Sequence, residues 1–422
     1  MYENIIELLK KEVVLALGCT EPAAVALATA KCKEVLGEMP ESVEIFASTN
    51  ILKNGMGVGI PGTGMVGLPI AAALGVIKGD SSKLLEVLSD VKKEDVDKAK
   101  LMLELGRVKV NLKDTKEKLY IEAICRSGKC FSRTIISGEH TSFVLIELNG
   151  EKIYSVDDKK KSSEKDKEYE TLTIDKIYEF VNKVQIKDIE FLLQGAQINK
   201  KLSDEALNNK YGLAVGKNLY ENIKSGRIQD SMEMHAKYTT SAAVDARMSG
   251  CILPVMTNTG SGNQGITVSL PVLAVAETSN TDKETLIRAL ALSNLVAIHI
   301  KSNLGRLSAL CGCVVASTGA CTGITYILGG KLPNIKYSIK NMIADISGMV
   351  CDGAKCGCAL KVSTGVSSAI QAALLALNDV EVSQNDGIID RDVEKTIKNL
   401  CELGTKGLSE ADNVILNIMT CK

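Results

Sequence analysis

The stretch LSALCGCVVASTGACTGITYILGG, residues 307–330, contains no charged residue and consists mainly of Gly, Ala, Ser, Thr and Cys. Two other stretches, residues 54–77 and 249–276, also lack charge. Each exceeds the length of about 18 residues that is typical of a membrane span. However, Gly and Pro clusters interrupt them, and irregular backbone exposed to lipid would lack hydrogen bonds. They therefore predict tightly packed segments around a buried site, and no membrane partner.

Outside these stretches, residue periodicity divides the chain into helical and mixed parts. Residues 3–17 and 22–36 show helical spacing, whereas from Ser42 to about Tyr154 short segments alternate or run β-branched, which is typical of strands. We expect an α+β fold with a mainly helical domain and a smaller α+β unit that carries a largely antiparallel sheet. The prediction divides the chain into four parts. Residues 1–40 form N-terminal helices that pack on the helical domain, and residues 41–156 form the α+β unit. Residues 157–170 form a charged connector, and residues 171–422 form the helical domain.

Composition and charge exclude several classes of partner. The 422 residues include 50 basic and 51 acidic side chains, aromatic residues are 4%, and tryptophan is absent from the sequence. Nucleic-acid binding usually needs a basic face and stacking aromatic rings, so we expect no nucleic-acid partner. The N-terminus has no apolar signal core, which predicts a cytoplasmic protein. We also expect a small-molecule substrate and a homo-oligomer, most simply a dimer.

Cysteine is the residue type that points to chemistry. The sequence has 13 cysteines but 3 histidines and no C-x-x-C pair, and six of the cysteines lie between Cys311 and Cys358. Thiolates are the ligands of soft metals and iron–sulfur clusters; the alternative is that cysteine fills a crowded core as a small apolar residue. Cys19 lies between two predicted helices, where helix N–H groups would stabilise a thiolate as ligand or nucleophile.

Two glycine-rich loops are candidate anion sites. They span Asn54–Gly64 and Thr257–Gly265, and neither has the spacing of a nucleotide-binding loop. Consecutive backbone N–H groups in such loops can bind an anion of the size of an amino-acid carboxylate; ordinary turn glycines are the alternative. Ser261, Asn263 and Gln264 add side-chain donors and acceptors that a plain turn does not need.

The candidate bases are Lys355, His299, Lys53 and His235. Lys355 follows Cys351 by four residues, so in a helix the two side chains would share a face. A single lysine is usually solvated and a single histidine usually structural, so each residue has a structural alternative. The sequence contains no recognisable Ser-His-Asp or Cys-His arrangement.

Five motifs stand out along the chain: GCTEPAAVALA (18–28), STNILKNGMGVGIPGTG (48–64), DARMSGCILPVMTNTGSGNQG (245–265), LSALCGCVVASTGACTGITYILGG (307–330) and GMVCDGAKCGCALKVSTG (348–365). Together they resemble the L-cysteine desulfidase family, oxygen-sensitive and PLP-independent relatives of the bacterial iron–sulfur L-serine dehydratases. The resemblance runs from the first helix to beyond residue 365, with the motifs in family order.

The resemblance implies a 4Fe–4S cluster in the helical domain, held by three cysteines with the fourth iron open to substrate. Carried over by position, the ligands are Cys19, Cys311 and Cys351. Two alternatives stay open: Cys313 could replace Cys311, and Cys356 or Cys358 could replace Cys351.

The implied activity is that of a carbon–sulfur lyase, in which L-cysteine and water give hydrogen sulfide, pyruvate and ammonia. The open iron would bind the substrate thiolate, and Lys355, His299 or Lys53 would remove the Cα proton. The carboxylate and amine would be held by the loop residues Ser261, Asn263 and Gln264, together with Asn50 and Asn54. The alternatives are an iron–sulfur L-serine dehydratase, a PLP-dependent desulfhydrase, for which no Schiff-base lysine is marked, and a non-catalytic cluster carrier or redox sensor.

Overall fold

A computed structural model describes residues 2–156, 172–305 and 307–421. The predicted charged connector, residues 157–170, lies outside the described residues. The elements before this gap are α1 (Glu3–Glu12), β1 (Leu15–Leu17), α2 (Thr20–Leu36), β2 (Ser42–Ala47), α3 (Thr49–Gly55), α4 (Leu68–Ile77), a 3₁₀ helix (Ser81–Glu86), α5 (Lys93–Glu104), β3 (Val108–Leu112), β4 (Tyr120–Ser127), β5 (Cys130–Ser137), β6 (Phe143–Leu148) and β7 (Glu151–Ser155).

The elements after the gap are almost all helical. They are α6 (Ile174–Lys183), α7 (Ile186–Ile189), α8 (Phe191–Asn208), α9 (Val215–Lys224), α10 (Met232–Met248), β8 (Pro254–Met256), α11 (Gly262–Thr278), α12 (Lys283–Leu304), α13 (Gly312–Ile327), α14 (Leu332–Ile346), α15 (Cys358–Leu377), α16 (Val393–Glu402), a π-helical turn (Leu403–Gly407) and α17 (Ala411–Thr420). The predicted α+β class, mainly helical, is confirmed.

The larger sheet has the strand order β3-β2-β4-β5-β6-β7. Only β2 and β3 pair in parallel, with Val43 opposite Val108, and the other neighbours are antiparallel. Strand β2 buries Val43, Ile45 and Ala47 on one face, as expected for a strand with one covered side. Helices α2 and α4 cover that face. The largely antiparallel sheet is therefore as predicted.

The two N-terminal helices belong to different cores. The sequence predicted that both pack on the helical domain, but only α1 does so, through Leu8 and Leu9. Most of α2 packs in the sheet core, where a Cβ added to Gly75 of α4 would overlap Thr29 Oγ1. The Ala-rich surface of α2 allows this close approach to α4 and leaves no polar stripe for solvent.

The charge-free stretch that includes helix α13, within residues 307–330, forms the centre of the helical unit. Helix α13 packs against α11, α12, α14 and α15, and residues 313–325 are all buried. A Cβ added to Gly319 would meet the Ser293 carbonyl oxygen at 2.5 Å, and one added to Gly323 would meet the Ala289 carbonyl oxygen at 2.9 Å. Small residues thus permit helix packing too close for larger side chains.

Among the described residues, one helix, α15, is long and apolar enough to span a membrane by length and composition. Its residues Ala359, Val366 and Ala369 are completely buried in the helical core. Core helices of soluble proteins pass the same test, so this helix is weak evidence of a membrane span.

The helical and α+β units are joined at several points, including one contact near each end of the described chain. Strand β1 pairs with β8 in a small antiparallel sheet, with Ala16 opposite Val255. At the other end of the chain, α17 packs on α3, and Leu416 of α17 lies in the sheet core. The sequence placed the C-terminus in the helical domain, because no local pattern reveals a contact across most of the chain. The candidate site lies where the two units meet.

Candidate functional site

A partly open cavity lies between the two units. Five cysteines line it: Cys19, Cys311, Cys313, Cys351 and Cys358. Its polar and charged lining residues include Thr20, Glu21, Asn54, Arg247, Ser261, Asn263, Gln264, Thr267 and Lys361. The cavity therefore combines soft sulfur donors with both signs of charge.

Four helices begin at this cavity. Cys19, Ser261, Cys311 and Gly357 are the N-cap residues of α2, α11, α13 and α15. The Ser261 hydroxyl accepts a hydrogen bond from the Gln264 backbone N–H at 3.3 Å, whereas neither Cys19 nor Cys311 makes a side-chain cap bond. Free N–H groups and the positive ends of helix dipoles stabilise thiolates and other anions. Four helix N-termini thus direct positive potential towards this cavity, although the chain as a whole is nearly neutral.

Backbone hydrogen bonds hold Cys311 and Cys351 on adjacent segments. The Cys311 N–H donates to the Met349 carbonyl at 2.9 Å, and the Cys351 N–H donates to the Ala309 carbonyl at 2.7 Å. Between them, Leu310 and Val350 form an isolated antiparallel bridge. Two predicted ligands far apart in sequence are therefore fixed side by side.

The thiol chemistry fits an iron–sulfur cluster. Burial raises the pKa of Cys19 to about 12 and raises that of Cys311 well above its usual value, so these thiols need a compensating positive partner to ionise. In the described residues, no three His, Cys, Asp or Glu groups are placed to hold a single ion. Each cysteine of a cluster binds a different iron, so cluster ligands stand farther apart than those of one ion. The donor set suits such a cluster.

The alternative ligands differ in their surroundings. The Cys313 thiol donates to the Lys361 carbonyl at 3.3 Å, turned towards α15, although Cys313 also lines the cavity. Cys356 instead contacts the Ser249 hydroxyl at 3.8 Å and is not among the described lining residues. Cys358 lines the cavity, with its thiol 3.7 Å from the Gly353 carbonyl.

Glu21 supplies a buried negative charge beside Cys19. Its carboxylate accepts hydrogen bonds from Asn54 Nδ2 at 3.0 Å, Thr20 Oγ1 at 3.2 Å and Cys19 Sγ at 3.4 Å. Burial acts to raise the pKa of Glu21, but the positive charge of His140, with the hydrogen-bond donors, keeps it below its usual value. Sequence reasoning included Glu21 only as part of the motif GCTEPAAVALA and missed this role.

Arg247 supplies the buried positive charge. Its guanidinium donates to Asn263 Oδ1 at 2.9 Å and to the Gly18 carbonyl at 3.1 Å. A Cβ added to Gly262 would overlap the Arg247 Nε atom, so glycine is required there for the arginine to fit. Arg247 lies within the motif at residues 245–265. Its only signal in the sequence is that it is a charged residue close to the start of the charge-free stretch 249–276.

Four buried polar atoms in the cavity wall have no hydrogen-bond partner among the described residues. They are Asn54 Oδ1, Arg247 Nε, Gln264 Oε1 and Thr267 Oγ1. Buried polar atoms are nearly always paired, and leaving one unpaired costs roughly 1–3 kcal/mol. Four such atoms around one cavity indicate that a polar ligand completes their bonding.

The structure does not bring the predicted bases Lys355 and His299 to the cavity wall. Lys355 lies in a loop before α15 and pairs with Asp352, so it does not share a helix face with Cys351. His299 is buried inside α12, where its Nε2 is 2.7 Å from Glu394 Oε2. A carboxylate partner in the core is typical of a structural histidine.

Lys53 and Asn50 bind another part of the protein. The Lys53 ammonium donates to Asp412 Oδ1 at 2.5 Å and to the Cys351 carbonyl at 3.1 Å. Asn50 donates to Asp412 Oδ2 at 2.7 Å. Neither residue is among the described lining residues, whereas the predicted contacts Asn54, Ser261, Asn263 and Gln264 are. His235 is also absent from the described lining and lies 3.5 Å from Glu277.

Two further lysines, Lys361 and Lys301, were missed by sequence reasoning. Lys361 lines the cavity, and its ammonium donates to the Val350 carbonyl at 2.7 Å. Lys301 of α12 is 7% exposed, and burial lowers its pKa to about 8 against the opposing effect of the Cys351 and Cys311 thiols. Both lysines place positive charge close to predicted ligands.

Comparison with known proteins agrees with this geometry. The family model for the serine dehydratase alpha chain matches residues 82–417. A UPF0597 protein of Parabacteroides distasonis is 50% identical over 99% of this chain and 98% of its own length. UPF0597 proteins of Bacteroides fragilis and Oleidesulfovibrio alaskensis are 48% and 44% identical, each over 100% of this chain and 98% of their own length. The chain belongs to the serine dehydratase alpha chain family, as the resemblance to iron–sulfur serine dehydratases predicted.

Proposed function

We propose that this protein is an L-cysteine desulfidase, a lyase that converts L-cysteine and water into hydrogen sulfide, pyruvate and ammonia. The observation that carries the proposal is one cavity that joins five cysteine thiols to a buried carboxylate, Glu21, and a buried guanidinium, Arg247. A zwitterionic amino acid with a soft leaving group matches all three features. Family membership supports the lyase class.

The residues that would hold a 4Fe–4S cluster are Cys19, Cys311 and Cys351. When bound, the cluster supplies a Lewis acid that stabilises the departing sulfide. The chain contributes the helix N-termini of α2 and α13 at Cys19 and Cys311, whose N–H groups act against the burial that raises the pKa of both thiols. Among the alternatives, Cys358 is the second choice for the third ligand, because it lines the cavity.

Substrate orientation follows from the separated charges. Arg247, backed by Asn263, binds the α-carboxylate through its guanidinium fork. Glu21 and the unpaired oxygen of Asn54 bind the α-ammonium. Gln264 and Thr267 then complete their hydrogen bonds with the substrate, which offsets the cost of leaving these buried atoms unpaired.

The proton on Cα needs an acceptor near the cavity wall. Lys361 is the first candidate, because it lines the cavity itself, and Lys355, whose neighbours Gly353 and Ala354 line the cavity, is the second. Either ammonium must leave Asp352, with which both are paired, and lose a proton to solvent before its lone pair can accept the Cα proton. Lys355→Met and Lys361→Met variants, assayed by exchange of the substrate Cα hydrogen with solvent deuterium, separate the two.

The test is an anaerobic reconstitution with iron and sulfide. We expect a broad absorbance near about 400 nm, typical of iron–sulfur clusters, and equal amounts of sulfide and pyruvate from L-cysteine. A cluster-loaded protein that turns over L-serine with higher kcat/KM would establish the alternative, an L-serine dehydratase, which the family name favours. A cluster without elimination of either substrate would leave the carrier or sensor function.

We also propose that the enzyme works in the cytoplasm as a homodimer. All 13 cysteines are free thiols, which suits a reducing compartment. Light scattering after gel filtration under reducing, anaerobic conditions tests the oligomeric state, and a monomeric mass would contradict the dimer.

A further inference from the structure

The C-terminal helix α17 contacts the segments that carry two of the predicted cluster ligands. Its second residue, Asp412, is 14% exposed and pairs with Lys53 of α3, which is 1% exposed. The second carboxylate oxygen of Asp412 accepts a hydrogen bond from Asn50, one turn earlier in α3, at 2.7 Å. Asp412 therefore holds the short helix α3 at two points.

One side of α3 supports the Cys351 loop. The Lys53 ammonium donates to the Cys351 carbonyl at 3.1 Å. A Cβ added to Gly353, whose φ is +93°, would overlap the Lys53 carbonyl oxygen, so the loop lies directly on the α3 backbone. Without Asp412, the Lys53 ammonium would stay buried with no carboxylate partner, which is strongly unfavourable.

The next residue of α3 supports the Cys19 segment. Asn54 donates to Glu21 Oε1 at 3.0 Å, and the other oxygen of Glu21 accepts from Cys19 Sγ at 3.4 Å. Consecutive residues of one helix, Lys53 and Asn54, thus reach the two separate segments that carry Cys351 and Cys19.

We propose that Asp412 is a positioning residue that fixes α3 and, through it, the relative placement of the Cys19 and Cys351 segments. Asp412 touches neither substrate nor reacting atoms. This inference rests on the proposed function only for the identity of the group that Cys19 and Cys351 bind. The coupling of Asp412 to the two cysteine segments depends on this chain's own contacts.

Hydrogen exchange of the full-length, cluster-free protein tests the coupling without any activity assay. In Asp412→Asn, we expect amide exchange in residues 49–55 and 349–357 to be about tenfold faster, the effect of losing a charge-assisted hydrogen bond. Exchange in β5 and α13 stays unchanged. The matched control Glu410→Gln removes an exposed charge at the start of the same helix and leaves both segments unchanged, and Asp412→Glu, which keeps the carboxylate, retains most of the protection.

Unchanged exchange in both segments of Asp412→Asn would overturn the proposal, as would a uniform increase over the whole chain. If Asp412→Asn does not fold, Asn50→Ala removes only one of the two bonds and should loosen the same segments about threefold. In Asn50→Ala, faster exchange confined to other regions would also overturn it.

A second readout applies to the reconstituted protein. The rate of iron release to a chelator should rise about tenfold in Asp412→Asn and stay at the wild-type value in Glu410→Gln. If wild-type protein binds a cluster but eliminates neither cysteine nor serine, the proposed function fails while this release rate still tests Asp412. If faster exchange is accompanied by no change in iron release, the inference fails independently of the activity.

Discussion

The sheet core and the cavity both bury cysteines, but their hydrogen bonding differs. In the sheet core, the Cys32 thiol lies 3.2 Å from both the carbonyl and the hydroxyl of Ser132. At the cavity, the Cys311 thiol makes no hydrogen bond to a described residue, and the nearby oxygens Asn54 Oδ1 and Gln264 Oε1 have no partner in the described structure. In the cavity, unpaired polar atoms lie around several thiols, and this combination distinguishes the candidate site from the surroundings of Cys32.

Replacing cysteines in the two regions should give the largest contrast. Cys311→Ala and Cys351→Ala should lose the absorbance near about 400 nm and reduce elimination by more than roughly 100-fold, because ligand loss exceeds the effect of outer-shell changes. Cys32→Ala should keep the cluster and lower the free energy of unfolding by about 1–2 kcal/mol. Spectra and denaturant unfolding measure both, and a cluster lost only in Cys32→Ala would invert the comparison.

The charged residues of the cavity come next. Arg247→Lys keeps the positive charge but loses the planar fork, so kcat/KM for the amino acid should fall about 100-fold, mainly through KM, with the cluster spectrum intact. Arg288→Lys is the control, since Arg288 pairs with Glu284 at the start of α12. Equal kinetic loss in both variants would show that Arg247 acts only on the fold.

Two buried threonines allow a comparison of hydroxyl groups: that of Thr267 has no hydrogen-bond partner among the described residues, and that of Thr134 has one. Thr267→Val removes an unpaired cavity hydroxyl, so we expect KM to rise about threefold to tenfold and stability to stay equal or increase. Thr134→Val removes a hydroxyl that donates to the Ala28 carbonyl at 2.9 Å in the sheet core, so stability should fall by about 1 kcal/mol with unchanged KM. A rise in KM for Thr134→Val alone would break the distinction.

Asp245 provides an unpaired atom outside the cavity lining. One carboxylate oxygen accepts from the Gly216 N–H at 3.1 Å, the other has no described partner, and burial raises the pKa of Asp245 from 3.8 to about 6. Because the folded-state pKa is above the unfolded one, this group's stabilising contribution is complete below pH 3.8 and is lost as pH rises through about 6.

Asp245→Asn should therefore become more stable relative to wild type as pH rises from about 4 to 7, by about 1–3 kcal/mol. Its kcat/KM should equal that of wild type, since the residue does not line the cavity. Thermal unfolding at several pH values checks the first expectation. A stability difference that is constant with pH would mean that Asp245 titrates normally.

The sequence carried enough information for the fold class and for part of the site. Alternation in β2 reveals a sheet with one covered face, and the small residues of 307–330 reveal close helix packing. The polar residues Asn54, Ser261, Asn263 and Gln264 line the cavity, because they sit at helix or loop positions next to glycines, and their contact with a substrate stays a prediction.

The predicted bases show where local pattern fails. Whether a lysine or histidine faces a cavity depends on tertiary packing: Lys355 and Lys361 both pair with Asp352, but only Lys361 is among the described lining residues. The prediction that α2 packs on the helical domain was wrong for a related reason. An Ala-rich helix has no distinct polar face, so its sequence does not show which unit it contacts. Tertiary contacts alone decide both.

The crossing of α17 onto α3 also sets an order of events during biosynthesis. Asn50 and Asp412 are 362 positions apart, and Leu416 lies in the core built by the first third of the chain. Domains usually fold in the order in which the ribosome releases them. Here a unit that is translated early is completed by α17, 362 positions later than Asn50, so the Cys19 and Cys351 segments reach their final spacing only once α17 has been synthesised.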